Sequence, residues 1–502
     1  MTHTATSRGA LGRLRLSPRM PLCPRHPRPR QRPLQRALPP AASLLCLVAV
    51  ACGGNALPEG QATGVEGSAP AGSESTAQVA ALAQDPETPP EPEEEPAPPP
   101  VPLEPVQRSP LPLITPIDAA MRANLQRIAA RNPELRDDVF AKMGGSSVVS
   151  RAYLHCFATS EVELGEHTDL QPTLDVFRAS QVAGGNVFTR ESEAAGVGWS
   201  LRQGMSGRPS RVQREVRTLR PRFALAFFGG NDVQGMNPKV YARRLIALVE
   251  DLTAQGVIPV LGAIQPRRSR DMEPWVVRFN SVTASVAQAF QLPYVDFHQA
   301  MLPLPGMGLA GDGVHPNVYR QGSRLVPCDL TEAGLTGGTN IRNLLTLQVL
   351  HQLREALSAE GTGPQEPSAA PRRPEGDGTV SSPEPVVQLP FAARLSPSVA
   401  TLDGYDGCEA AGAPGPERVY RVLVDEPLRV RALVVTPDDD VHVGIYHLGE
   451  EVDAAQCQGG GTDEAMFDLP PGTHHFVVEV DPRSERDLSQ TPVLFSLVDE
   501  TE

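Results

Sequence analysis

Residues 223–228 form an uninterrupted apolar run, Phe-Ala-Leu-Ala-Phe-Phe, which ends in two glycines. A continuous apolar run of this length, bounded by turn residues, is typical of a β-strand that is buried on both faces. Strands covered on both faces occur in parallel sheets that carry helices on either side. This segment therefore predicts a parallel α/β sheet.

Strand-like and amphipathic helix-like runs alternate on both sides of that segment. Strands separated by helices of ordinary length require right-handed crossovers, which give a parallel sheet with helices on both faces. We predict a three-layer α/β/α domain of flavodoxin-like type over residues 113–360, with its ligand site at the carboxyl ends of the strands. The other predicted strands are 138–143, 257–262 and 293–297, and the predicted helices are 240–255, 275–291 and 341–357.

Two of the loops at predicted strand ends carry residues suited to nucleophilic catalysis. Ser146 follows the first strand and opens a helix predicted to run toward Leu154, so free N–H groups and the helix dipole favour a developing negative charge there. Asp312 precedes His315 by three residues, so one short loop supplies a base and the carboxylate that orients it.

A third loop and one glycine can supply oxyanion donors. Asn231 follows the 223–228 strand and can donate a side-chain N–H to a developing oxyanion. Gly198 can bring its backbone N–H close to a substrate because it has no side chain. Each of these residues also has an ordinary structural interpretation as a turn or a helix cap. The functional interpretation is favoured because these residues occur together, in this order, at predicted strand ends.

In chain order the loops read Gly-Gly-Ser-Ser at 144–147, Gly-Gly-Asn-Asp at 229–232 and Asp-Gly-Val-His-Pro at 312–316. They resemble the blocks of the SGNH/GDSL hydrolases, and Gly198 matches the block glycine that lies between the first two. The resemblance covers about residues 138–350 and implies a serine esterase. In that family the serine, here Ser146, attacks an acyl carbonyl and the histidine, here His315, takes its proton. The family uses no metal or organic cofactor.

One position departs from the family pattern. Gly145 stands where the family has an aspartate between the glycine and the serine. The alignment that makes Ser146 the nucleophile is favoured, but a slip of one residue would select Ser147. The loss of the aspartate should loosen the turn and leaves open a weakly active or degenerate enzyme.

Residues 1–51 have the features of an export signal. The first 40 residues contain nine arginines and no acidic residue, and the apolar run 41–51 is too short to span ~30 Å of hydrocarbon. Cys52-Gly53-Gly54 follows and resembles the lipobox of bacterial lipoproteins, although Ala49 replaces the usual leucine and an ordinary signal-peptidase site stays open. Met20 is an alternative start. We expect an exported lipoprotein, anchored in the membrane through Cys52 and facing the periplasm or the cell surface.

Composition separates the folded units and excludes one class of partner. Residues 52–112 are rich in proline and glutamate and contain no aromatic residue, which predicts a disordered tether. A second break, 361–387, predicts a linker. The chain as a whole carries a formal charge of -14, which argues against a nucleic-acid partner.

The second predicted unit, residues 388–502, consists of short alternating runs separated by turns, which favours an antiparallel β-sandwich. It resembles the pre-peptidase C-terminal type of sandwich found in secreted bacterial enzymes, and we expect an accessory module. His474 and His475 are neighbours in a strand-like run, so they should face opposite sides and not share a metal. The acidic run 438–440 is interpreted as a solvated turn rather than a calcium site.

Four cysteines remain after the signal and the lipidation candidate are set aside. They are Cys156, Cys328, Cys408 and Cys457, with one pair in each predicted domain. An even number in an oxidising compartment indicates disulfides, and Cys156–Cys328 with Cys408–Cys457 needs no bridge between domains. The other two pairings stay open.

Together these features predict a serine esterase of the cell envelope that acts on O-acyl groups of a polysaccharide, a glycolipid or a lipid. Acyl transfer to a sugar is a variant that the sequence does not separate from hydrolysis. The alternative is a membrane-tethered binding or scaffold lipoprotein whose hydrolase-like domain turns over poorly.

The lipid anchor is tested by replacing Cys52. A Cys52→Ala variant should lose lipid attachment and move from the membrane fraction to the soluble fraction, because no other acyl acceptor is predicted. Metabolic labelling with a radiolabelled fatty acid, followed by fractionation, measures both effects. A variant that is processed normally and stays in the membrane fraction would contradict the anchor.

Overall fold

A computed structural model describes residues 102–108, 111–358, 376–395, 402, 404–405, 408, 415–436, 441–480 and 493–501. The predicted signal peptide, Cys52, the tether up to residue 101 and the acidic run 438–440 lie outside the described residues. Within the described ranges, none of the helices has the length and apolar character needed to cross a membrane.

The first domain alternates strands and helices as predicted. Its helices are α1 Ala119–Ala130, α2 Ser146–Val149, α3 Gln171–Ala179, α4 Leu201–Gly204, α5 Arg211–Leu219, α6 Pro238–Ala254, α7 Glu273–Ala289, α8 Phe297–Met301 and α9 Gly338–Leu357. Its strands are β1 Arg136–Gly144, β2 Gln181–Val182, β3 Gly185–Asn186, β4 Pro221–Phe227, β5 Ile258–Gly262, β6 Tyr294–Val295, β7 Arg320–Gln321 and β8 Arg324–Leu325.

The central sheet is parallel, with the strand order β1-β4-β5-β6. Every residue of β4 is buried, which confirms the interpretation of the apolar run 223–228 as a strand covered on both faces. Helices α6 and α7 pack together, and α1 and α3 pack against α9. The three-layer α/β/α prediction is therefore confirmed, and the carboxyl ends of β1, β4 and β5 lie side by side.

One helix is much shorter than predicted. The sequence predicts a helix from Ser146 toward Leu154, but α2 ends at Val149 and Ser150 is extended. The hydroxyl of Ser150 accepts the N–H of Ala152 (3.3 Å), a local bond that competes with helix continuation. Because α2 has a single turn, it contributes little aligned dipole at Ser146.

The C-terminal domain is an all-β sandwich of two sheets, as predicted. One sheet has the order β10-β17-β12-β15 and the other β14-β13-β16-β11-β9. Its strands are β9 Glu384–Val386, β10 Phe391–Arg394, β11 Glu417–Val424, β12 Leu428–Val435, β13 Val443–Leu448, β14 Cys457–Thr462, β15 Glu464–Leu469, β16 Gly472–Val480 and β17 Leu494–Asp499. Its pairs are antiparallel except β9 with β11, which is parallel, so the purely antiparallel prediction needs that correction.

The sandwich extends beyond the range 388–502 that composition predicted. Strand β9 falls inside the predicted linker, and Val106 falls inside the predicted tether. The N–H of Val106 donates to the Leu423 carbonyl (2.8 Å), and the Val106 side chain is buried in the sandwich core. Proline-rich neighbours hide these short pairing segments in the sequence, since composition averages over them.

The sandwich also packs on the first domain. Leu433 and Leu494 join the hydrophobic core of the α/β domain. The hydroxyls of Ser285 on α7 and Ser496 on β17 are hydrogen-bonded (2.6 Å), and Arg243 on α6 donates to the Thr436 carbonyl (3.1 Å). The sandwich is therefore docked on helices α6 and α7.

Both predicted disulfides are formed. Cys156 is bonded to Cys328 in the first domain and Cys408 to Cys457 in the sandwich. The structure thus selects the pairing that keeps each bridge within one domain.

A Cys408→Ala/Cys457→Ala double variant should unfold its sandwich at lower urea concentration. Opening a loop with a sequence separation of 49 residues costs about 4 kcal/mol of stability in chain-entropy terms. The shift in the urea midpoint is measured by near-UV circular dichroism. The Cys156→Ala/Cys328→Ala double variant, which lacks the disulfide of the first domain, serves as the comparison. Peptide mapping without reductant that joined Cys156 to Cys408 would contradict the pairing.

Candidate active site

Ser146 lies directly after the carboxyl end of β1. That strand ends at Gly144, where a β-carbon would collide with the Phe227 carbonyl oxygen of β4. The glycine has φ +154°, and the chain turns immediately after it into the single-turn helix α2. The turn presents the Ser146 side chain to the edge of the sheet where the loops after β4 and β5 also lie.

Ser146, His315 and Asp312 form a hydrogen-bonded chain. The hydroxyl of Ser146 lies 2.7 Å from Nε2 of His315, and Nδ1 of His315 lies 2.7 Å from Oδ2 of Asp312. Oδ1 of Asp312 accepts the backbone N–H groups of Val314 (2.9 Å) and His315 (3.0 Å). These are the contacts expected of a nucleophile, a base and the carboxylate that orients the base.

The Asp312 carboxylate stays ionised throughout the physiological pH range. The backbone N–H of His315 first, and then its side chain and the N–H of Val314, hold the pKa of Asp312 well below its ordinary value. An ionised carboxylate favours the tautomer in which Nδ1 of His315 carries its proton, which leaves Nε2 free to accept one from Ser146.

The structure separates the two candidate serines. Ser147 accepts a hydrogen bond from Nε2 of Gln265 (3.1 Å), while Ser146 is the serine in contact with His315. Gln265 also donates to the Val314 carbonyl (3.1 Å), so Ser147 belongs to the support of the histidine loop. The geometry therefore favours the alignment that makes Ser146 the nucleophile.

Both predicted oxyanion donors line the same cavity as Ser146. Nδ2 of Asn231 donates to the Trp199 carbonyl (2.9 Å), and the second hydrogen of that amide has no acceptor among the described residues. Gly198 has φ +74°, a left-handed conformation that favours glycine, and a β-carbon there would meet open space. The backbone therefore passes the cavity at Gly198 without a side chain in the way.

Asp232 ties the two oxyanion loops together. Its carboxylate oxygens accept the N–H of Leu201 (both 3.0 Å) and the N–H of Gly229 (3.2 Å). Burial raises the pKa of Asp232, and those backbone N–H groups oppose the rise. The sequence identified Asp232 only as part of the Gly-Gly-Asn-Asp motif and did not indicate this positioning role.

Arg267 ties the histidine loop to the asparagine loop. Its buried guanidinium donates to the carbonyl of Val314 (2.9 Å) and to that of Gly230 (2.7 Å). Sequence reasoning missed Arg267 and Gln265 altogether. Both follow β5 at its carboxyl end, and this position in a parallel sheet was the signal that could have found them.

Gly145 lies against Asn231, the candidate oxyanion donor. A β-carbon at Gly145 would lie 2.9 Å from Nδ2 of Asn231 and 3.2 Å from the Trp199 carbonyl oxygen. The departure from the family pattern thus leaves room for Asn231 in its present position. The contact between Ser146 and His315 is intact beside it.

The cavity over these residues has a volume of about 520 Å³. Its wall combines the catalytic candidates with apolar side chains such as Phe228 and Ile264, and Val197 is strongly exposed at its rim. A volume of this size suits a small-molecule ligand or one end of a larger one.

Elsewhere, His474 and His475 have separate partners, as their adjacency in a strand predicted. Nδ1 of His474 lies 3.0 Å from Nε2 of His447, and Nδ1 of His475 lies 3.0 Å from the Gly449 carbonyl oxygen. Burial lowers the pKa of His447 to about 4. Among the described residues, no cluster of three or more His, Cys, Asp or Glu side chains could hold a metal ion.

Comparison with known proteins gives one family match. Residues 178–319 match the GDSL-like Lipase/Acylhydrolase family. The matched range contains Gly198, Asn231, Asp312 and His315, whereas Ser146 lies before it. No curated protein matches this chain.

Solved structures of the same description are also similar to this chain. A GDSL-like lipase from Bacteroides thetaiotaomicron is 18% identical, covers 46% of this chain and 98% of its own, and has a TM-score of 0.28. An acetylxylan esterase from Geobacillus stearothermophilus is 16% identical, covers 42% of this chain and 93% of its own, and has a TM-score of 0.28.

Residues 178–319 of the α/β domain thus match the GDSL-like Lipase/Acylhydrolase family, which is a family of ester hydrolases.

Proposed function

We propose that this protein is a serine esterase of the bacterial cell envelope that hydrolyses O-acyl esters of a polysaccharide, a glycolipid or a lipid. The observation that carries the proposal is the hydrogen-bonded chain from Ser146 through His315 to Asp312. The expected export signal and the lipid anchor at Cys52 support a substrate in the envelope.

The chemistry has two steps. His315 removes the proton of Ser146 through Nε2 as the serine oxygen attacks the acyl carbonyl, and it then gives that proton to the departing alcohol. Water, activated by the same nitrogen, attacks the acyl-enzyme and releases the acid. Asp312 stabilises the imidazolium that forms in each step.

The oxyanion of each tetrahedral intermediate is held by three donors: the Asn231 side chain and the backbone N–H groups of Gly198 and Ser146. Donors that are in place before the reaction stabilise the charge without reorganisation. Asp232 and Arg267 hold the loops that carry them, so the donors keep their spacing as charge develops.

The alternative is a binding or scaffold lipoprotein with little turnover, and Gly145 is the residue that favours it. The intact contact between Ser146 and His315 supports the esterase instead. His315 and Asp312 are each about half exposed, so water can reach the base, as hydrolysis requires.

Hydrolysis of 4-nitrophenyl acetate by the full-length chain tests the proposal. Ser146→Ala and His315→Ala should each lower kcat by at least about 10³-fold, because the first removes the nucleophile and the second removes its base. Asp312→Asn should have a smaller effect, since it misorients the imidazole without deleting it.

Ser147→Ala is the matched control for the nucleophile. It should retain turnover and leave Ser146 open to stoichiometric labelling by an organophosphonate, which mass spectrometry of peptides can locate. Label on Ser147 would reverse the choice of nucleophile. Absence of label, with Ser146→Ala as active as the parent, would favour the binding protein.

The contact between Gly145 and Asn231 generates a separate prediction. Asn231→Ala should cost on the order of 10²–10³ in kcat, the usual loss for one oxyanion donor. Gly145→Ala should lower kcat by about tenfold, because its methyl group displaces the Asn231 amide.

A double-mutant cycle checks the cause. Gly145→Ala should add little when Asn231 is already alanine, because the displaced group is then missing. Full additivity of the two losses would mean that Gly145 acts through something other than Asn231.

A further inference from the structure

Arg342 of helix α9 lines the catalytic cavity, yet the proposed mechanism does not use it. Its side chain is 3% exposed. The guanidinium carbon lies 4.8 Å from the centre of the Phe297 ring and 5.1 Å from the centre of the Tyr153 ring. The cation is therefore held between two aromatic faces at the wall of the cavity.

This guanidinium has no counter-ion in the part of the chain that the structure describes. Nε of Arg342 is buried without a hydrogen-bond partner there. Burial lowers the pKa of Arg342, and the acidic group that acts against this is the phenol of Tyr153 rather than a carboxylate. A buried charge without a partner is costly, and cation–π contacts offset only part of that cost.

The other arginines of the cavity differ in this respect. Arg267 donates to the carbonyls of Val314 and Gly230, and Arg268 donates to the Ala310 (3.3 Å) and Gly311 (3.4 Å) carbonyls. Those two cations hold loops in place. Arg342 donates to no loop carbonyl in the described part of the chain, so its N–H groups are available to a ligand.

The charge of the cavity wall supports the same conclusion. It carries three arginines and one aspartate, Asp312, which is engaged by His315. The chain as a whole is acidic, with a formal charge of -14. The cavity is therefore locally positive in a negative protein, and low-dielectric walls strengthen its attraction for an anion.

We propose, resting on the proposed esterase function, that Arg342 is the anion-binding residue of the substrate pocket and selects esters that carry a carboxylate near the scissile bond. A guanidinium presents paired N–H donors that match a carboxylate. The carboxylate belongs either to the acyl chain or to the alcohol part of the ester.

Two pairs of substrates distinguish these sources with the full-length chain. For the acyl side, 4-nitrophenyl hydrogen glutarate is compared with 4-nitrophenyl valerate after subtraction of the uncatalysed rates. For the alcohol side, 4-acetoxybenzoate is compared with its methyl ester. In at least one of the two pairs, kcat/KM should be about 10- to 100-fold higher for the acidic ester than for the neutral one. This is the range expected for a charge-assisted hydrogen bond.

Arg342→Met tests the residue itself. The ratio of kcat/KM between the acidic and the neutral ester should fall by about the same factor, because methionine fills the aromatic slot without the charge. Arg127→Met, on the exposed side of α1, is the control and should leave that ratio unchanged. A ratio that Arg342→Met does not change overturns the inference.

Calorimetric titration with glutarate gives a readout that needs no turnover. If glutarate binds to the parent and Arg342→Met abolishes that binding, the anion pocket is supported. If glutarate does not bind and the acidic and neutral esters have equal kcat/KM in both pairs, the inference is overturned. Should Arg342→Met fail to fold, the parent alone can still overturn the inference, since equal kcat/KM for the acidic and the neutral ester in both pairs leaves no anion pocket. Hydrolysis of none of the esters overturns the proposed esterase, whereas hydrolysis without preference for acid overturns this inference alone.

Discussion

The parallel pairing of β1 with β4 is the constraint on which the rest of the site depends. In register, Gly144 lies opposite Phe227, so both strands end at the same edge of the sheet. The absence of a side chain at Gly144 lets the two backbones approach this closely. Because Ser146 and Asn231 follow those strand ends within a few residues, the proposed nucleophile and a proposed oxyanion donor lie at the same edge of the sheet.

Buried polar groups then join the loops into one unit. Asp232 connects the loop of Gly198 to that of Asn231, and Arg267 connects the loop of Asn231 to that of His315. The half-buried carboxylate of Asp232 and the buried guanidinium of Arg267 are both satisfied by backbone groups, which avoids the penalty of an unpaired ion. Arg342 lacks such partners among the described residues, and this contrast indicates a ligand rather than a structural role.

Much of the fold and of the site was predictable from local pattern. The apolar run 223–228 and the helical periodicities around it depend on neighbouring residues, and the structure places strands and helices there within a few residues of the predicted bounds. The length of α2 was not predictable, because Asn343 of α9 accepts the N–H of Leu154 (3.0 Å) and donates to the Ala152 carbonyl (3.0 Å), and Asn343 lies 189 residues beyond Leu154 in the chain. The extent of the sandwich was not predictable either, since Val106 pairs with a strand more than 300 residues away in the chain.

The sequence by itself determined the sheet type, the order of the motifs and the residues able to act as nucleophile, base and oxyanion donor, because each is encoded within a few neighbouring positions. Only the tertiary structure shows which serine contacts His315 and which contacts Gln265, and Gln265 is 118 residues away from Ser147. The tertiary structure also decided the disulfide pairing, the loop-holding roles of Asp232 and Arg267, and the isolation of Arg342. These properties are set by contacts between distant segments, and such contacts exist only after the chain has packed.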